Sequence, residues 1–235
     1  MAAVLAAVLL PTGTQGSTWD EAATAEPSPT PHPSPVSAPA GGDLVIVESG
    51  HTLFKDISGS PRLSWGAVIT NTARELLALG TATLEGTVDG EPMTMNDPIP
   101  LLPPGATAVV GITLPPPDGK LADMRVVISE VRWWTATATA PPGSIVATDV
   151  DATVDDDGLA VRFRVESQYG DMVFTPRYHA LFRNEDGDIL GGDRDVISND
   201  RLPPGWSIRE IACFYSPPPG TARDTIEVFV APQYG

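Results

Sequence analysis

Leu159-Ala160-Val161-Arg162-Phe163-Arg164-Val165-Glu166-Ser167 carries an apolar residue at every second position and a small or charged one between. Strand side chains point alternately to opposite faces, so a period of two means one buried face and one wet face. That is the pattern of an antiparallel sheet lying on a core. An earlier stretch, Leu63-Ser64-Trp65-Gly66-Ala67-Val68-Ile69-Thr70-Asn71, aligns with it. Other landmarks recur in the same order. Leu102-Pro103-Pro104-Gly105 returns as Leu202-Pro203-Pro204-Gly205, each after an acidic-glycine turn, Asp89-Gly90 and Asp186-Gly187. Pro115-Pro116-Pro117 returns as Pro217-Pro218-Pro219, each before a last apolar run. Order and spacing preserved together over roughly ninety residues point to a duplicated module.

The 235 residues then divide into five parts. Residues 1–25 read as a signal-peptide-like or anchor segment and 26–43 as a proline-rich disordered stalk. Residues 44–134 form a first β-sandwich module, 135–144 a linker and 145–235 a second module. Each module is long enough to bury a core without metals or disulfides. Turn chemistry punctuates both. Ser58-Gly59-Ser60-Pro61 turns the chain in the first and Asp155-Asp156-Asp157-Gly158 in the second. The best helical candidate, Thr72 to Leu79, is short and closes at Gly80, and reads better as a loop leading into a strand. The expected fold class is all-β: two tandem immunoglobulin-like antiparallel β-sandwiches of short strands, after the stalk.

Charge narrows the partners. The formal net charge is −16, and residues 149–235 hold eight basic against sixteen acidic side chains. No part is basic, which argues against nucleic acid and against an anionic lipid surface. Cys213 is the only cysteine, so no intrachain disulfide and no thiolate metal cluster can form. Two lysines stand against twelve arginines, a skew shared with proteins of high-GC actinobacteria.

Residues 2–10 are continuously apolar and end at Pro11. Nine residues are too few to span a bilayer and suit a signal-peptide core, with Ala23-Thr24-Ala25 as the nearest cleavage-like site. Proline then occupies every second position from Pro27 to Pro35. Proline lacks a backbone donor and fixes φ, so this segment reads as an extended spacer. At ~3.1 Å per residue, Ala22 to Asp43 reaches up to roughly 60–70 Å. Export, with membrane contact only through the N-terminal segment, is the expectation.

The run Tyr178-His179-Ala180-Leu181-Phe182-Arg183-Asn184-Glu185-Asp186-Gly187, followed by Asp188-Ile189-Leu190-Gly191-Gly192 and Leu-Pro-Pro-Gly, resembles the FxLYD-type repeat of bacterial and archaeal surface and secreted proteins. The resemblance covers roughly 44–133 and 145–231, and the second copy matches more closely. Asn71, after Gly66, stands where that family often has Gly-x-x-x-Asn; the second copy has Ser167 there. The resemblance implies a β-sandwich at the cell surface and no catalytic residues.

Candidate sites are few. His32, His51 and His179 stand apart from any nucleophile or zinc pattern, and no phosphate-binding or dinucleotide-binding glycine motif occurs. No enzyme is expected. Asp149, Asp151, Asp155 and Asp157 form an acidic cluster, since calcium takes several carboxylate oxygens. Against this stands a plainer reading: Asp149 and Asp151 alternate with Val150 and Ala152 as a solvated strand face, and Asp-Asp-Asp-Gly is ordinary turn chemistry. No cofactor is expected, with calcium here as the single alternative. Trp133 and Trp134 are the binding candidates: adjacent strand residues point oppositely, so one should face the core and the other the module junction or a ligand. Tyr178, Phe182, Trp206, Phe214 and Tyr215 read mostly as core. The expected role is a non-enzymatic protein–protein interaction module or accessory subunit at the cell surface, bound to an envelope or extracellular protein. A calcium- or carbohydrate-dependent ligand module and a structural spacer are the alternatives.

Overall fold

Alternation along Leu159–Ser167 becomes a strand in the computed structural model, which describes residues 42–135, 144–155, 158–195, 200–213 and 215–232. Six strands fill the first half: β1 (Leu44–Lys55), β2 (Pro61–Asn71), β3 (Leu76–Val88), β4 (Glu91–Leu102), β5 (Thr107–Leu114) and β6 (Leu121–Thr135). The second half holds β7 (Ile145–Asp155), β8 (Gly158–Ser167), β9 (Val173–Phe174), β10 (Arg177–Arg183), β11 (Ile189–Asp195), β12 (Arg201–Leu202), β13 (Gly205–Cys213) and β14 (Glu227–Ala231). A 3-10 turn at Arg223–Thr225 is the one helical piece among the described residues. Several strands are longer than the short ones expected. β1 is continuous through a bulge between Ile46 and Glu48.

Every strand pairing is antiparallel and stays within its own half. In the first half the orders are β1-β2-β5 and β4-β3-β6; in the second they are β7-β8-β13 and β11-β10-β14, with a small β12-β9 ribbon. Replacing β1, β2, β5 by β7, β8, β13 and β4, β3, β6 by β11, β10, β14 turns one order into the other. The Leu-Pro-Pro-Gly turns also correspond. Gly105 (φ 72°) precedes β5 and Gly205 (φ 81°) opens β13, a backbone region that glycine enters at no steric cost.

Each half has its own core between its two sheets. The inward face of β2, Leu63, Trp65, Ala67 and Ile69, packs with Ala82, Leu84, Ile99 and Trp133. The inward face of β8, Leu159, Val161, Phe163 and Val165, packs with Tyr178, Phe182, Ile211 and Val228. Phe163 and Tyr178 meet edge to face at 5.8 Å. Asn71 closes one corner: its amide donates to the carbonyls of Leu76 and Leu102, and its oxygen accepts from the Ala73 amide. The equivalent Ser167 is buried and its hydroxyl finds no partner among the described residues. Both halves belong to one compact unit, Pro33–Gly235, held by a third apolar cluster of Val109, Leu181 and Ile189 with Val68 and Phe229. No helix among the described residues is long and apolar enough to cross a membrane.

Candidate functional site: one covered sheet face and one bare one

The outward faces of the equivalent sheets β1-β2-β5 and β7-β8-β13 differ in what lies on them. On the first, β11 packs across β1, β2 and β5. Pairing puts Gly50, Gly66 and Gly111 in a single row across the three strands. A Cβ on Gly50 would fall 1.8 Å from the Ile189 carbonyl oxygen, and one on Gly66 would fall 2.8 Å from that of Gly191. Reciprocally, a Cβ on Gly191 would fall 2.1 Å from Ser64 Oγ. Backbone meets backbone here, the close approach that a glycine inside a strand permits.

Polar groups along this seam are paired across it. The Gly192 amide donates to Ser64 Oγ, the Ser64 hydroxyl donates to the Gly192 carbonyl, and the Thr113 hydroxyl donates to Ser64 Oγ at 2.9 Å. Asp97, fully buried on β4, accepts from the Gly111 amide (2.9 Å), from His179 Nε2 (3.2 Å) and from the Arg194 guanidinium. Burial alone would push the Asp97 carboxyl up. The hydrogen bond and charge of His179, then Arg194 and the Gly111 amide, outweigh it and hold the carboxyl below the usual range. Asp193, also buried, accepts from the Thr113 and Arg194 amides, and burial raises it to about 7. A rim ion pair joins Arg183 to Glu48 of the other half and to Glu227 of its own.

Among the described residues, no strand packs across the outward face of β7-β8-β13 in this way. Here the row equivalent to the three glycines is Asp151, Arg162 and Glu210. The next rows are Thr148, Arg164 and Ile208, then Val146, Glu166 and Trp206. Trp206 is 65% exposed and Ile208 51%. The Arg164 guanidinium lies 5.4 Å from the Trp206 ring centroid, a cation–π contact. Asp149, Asp151, Arg162, Arg164, Trp206 and Ile208 line an open depression of about 640 Å³ on this face. None of Asp149, Asp151, Arg162, Glu166 or Glu210 has a side-chain hydrogen bond or ion pair in the described structure, so their charges face solvent.

The sequence candidates fall in different places. Asp149 and Asp151 are exposed; Asp149, at φ 52°, lies inside a bulge of β7 and Asp151 follows it. Asp155 ends β7, but its side chain lies outside the described residues, as do Asp156 and Asp157. Among the described residues no group of three or more histidine, cysteine, aspartate or glutamate side chains is placed to hold a metal ion. Trp133 is buried in the first core, while Trp134 is half-buried on β6, paired with Leu77. The seam between the halves is built from other residues. His179 is packed, 1% exposed, against Asp97. Trp206 corrects the core reading of the aromatics: on β13, Ile211 and the inward Ser207 and Arg209 take the core side, which turns Trp206, Ile208 and Glu210 outward. Phe214 lies outside the described residues, and Tyr215 sits under Arg62 at 4.2 Å.

Sequence reasoning passed over the seam, although glycine inside β-strands at 66, 111, 191 and 192 was its available signal. No protein-family model matches the chain, and no curated protein matches it.

Proposed function

We propose that the protein is a non-enzymatic interaction module of the cell envelope, and that its contact surface is the bare face of β7-β8-β13. The observation that carries this reading is the contrast between equivalent faces: one is sealed by a β-sheet, while the other exposes Trp206, Ile208 and Val146 beside unpaired charges of both signs. An aromatic and an arginine at the centre with a polar rim is the anatomy of a protein–protein interface. The N-terminal apolar run and the proline-rich stretch support an exported chain whose folded part stands off from the membrane on a spacer. The shared strand order of the halves supports a duplicated immunoglobulin-like sandwich of the FxLYD-type, and the arginine-rich composition supports an actinobacterial surface protein.

The test is a photo-crosslinking amino acid at Thr148 in the full-length chain, expressed in its native envelope. A discrete protein adduct that Trp206→Ala and Arg162→Glu each reduce by tenfold or more is the expected result. An adduct pattern unchanged by either substitution would remove this face from the reading. A second reading, a glycan stacked on the indole, is favoured by the exposure of Trp206. It predicts saturable quenching of tryptophan fluorescence by envelope polysaccharide, lost in Trp206→Ala. Calcium at Asp149 and Asp151 would appear there as a requirement for millimolar calcium.

A further inference from the structure

The acidic groups at the seam are unequally provided for. His179 and Arg194 both direct their donors at Asp97, so the nearest side-chain donors are committed to one carboxylate. Asp193 is 5% exposed and has no ion pair among the described residues; it is held by the main-chain amides of Thr113 and Arg194. The neighbours that β2 and β5 bring to this part of the seam are the neutral Ser64 and Thr113. From β4 comes Asp97, from β10 His179, and from β11 itself Arg194 and Asp195. Asp195 disfavours a charge on Asp193 and Arg194 favours one. A buried carboxylate without a counter-charge binds a proton in preference to ionising.

We infer that the seam between the two halves is a proton-loaded clamp: it closes most firmly with a proton on Asp193 and loosens as that proton is lost. The sign follows from linkage. Burial raises the folded-state affinity of Asp193 for its proton, from 3.8 to about 7. Its contribution is therefore fully present below the unfolded value and is lost as pH rises toward 7. Asp97 works oppositely. Its folded value is depressed, so its contribution holds at higher pH and is lost only on stronger acidification. The two together define a mildly acidic window in which the seam is tightest. A protein that meets its partner outside the cell would have its halves locked in an acidified surrounding and freed to shift at neutral pH.

The experiment compares urea unfolding of the full chain and of Asp193→Asn between pH 5 and 8. The carboxamide keeps an oxygen for the two amide donors and cannot ionise. The wild type should lose up to about tenfold in its folding equilibrium for each pH unit from 5 toward 7. Asp193→Asn should be nearly flat over that range. Parallel slopes in the two proteins, or a flat wild type, would overturn the clamp. Should Asp193→Asn fail to fold, the side-chain carboxyl carbon of Asp193 in the wild type is followed by NMR instead. A midpoint near 7 supports the inference and one below 5 overturns it.

Discussion

The row Gly50-Gly66-Gly111 and the row Asp151-Arg162-Glu210 occupy the same place in two sheets of the same strand order. Strand order and inward apolar face are shared, so both rows sit above a packed core. What differs is the outward side chain. Three residues without a Cβ let a second sheet come down until main chain meets main chain, and the neighbouring Ser64 and Thr113 satisfy the groups that lose water. Three charged side chains at the same positions hold any flat sheet away, because seating one there would strip water from Asp151, Arg162 and Glu210 without main-chain partners to replace it. One face is therefore written to be closed by the rest of the chain. The other keeps its charges in water.

The deepest way to break this contrast is through Asp97. Replacing it by alanine removes the acceptor of His179 and Arg194 and leaves their donors in the seam without it. Breaking a buried ion pair from one side costs about 3–5 kcal/mol. Asp97→Ala should lower unfolding stability by that order at neutral pH, read from urea denaturation. A loss below about 1 kcal/mol would mean that the seam adds little to the union of the halves.

The glycine row comes next. Gly66→Val places a side chain against the Gly191 carbonyl oxygen, which is main chain and cannot rotate away. Overpacking of this kind costs about 1–3 kcal/mol. The expected signature is loss of amide protection in β2, β5 and β11 with protection in β3 and β8 retained. Gly170→Ala is the control: nothing lies within 4 Å of its added Cβ, and it should change stability by less than about 0.5 kcal/mol.

Much of the fold was legible because alternation is local. The period of two along Leu159–Val165 named every buried hydrophobic residue of β8, and Leu76 begins a strand where the helix-like stretch reads as a loop into one. The turns at Gly105 and Gly205 followed from proline and glycine chemistry. The seam was not legible for the opposite reason. Ser64, Asp97, Thr113, His179 and Asp193 come from five strands and both halves, and only tertiary packing brings them together. Trp206 was misjudged because its strand interleaves Ser207 and Arg209 with Ile208 and Glu210, a pattern that gives hydrophobicity no clear side. Pairing with β8 assigns the face: Trp206 lies opposite Glu166, Ile208 opposite Arg164 and Glu210 opposite Arg162, all outward.

The bare row supplies the smallest effect and the sharpest half of the comparison. Arg162 sits between Asp151 and Glu210 across the strands, yet among the described residues no ion pair joins it to either. Exposed cross-strand charges contribute only a few tenths of a kcal/mol, so Arg162→Ala should move stability by less than about 0.5 kcal/mol. Trp206→Ala should do the same, because a ring that is 65% exposed in the folded chain surrenders little buried area. If both variants fold as the wild type does and both lose the crosslinked partner, the charges and the indole serve contact rather than folding. If Arg162→Ala instead costs 2 kcal/mol or more, the row holds its own sheet together. The two faces would then differ in how each stabilises the chain, and the bare one would no longer be marked out for a partner.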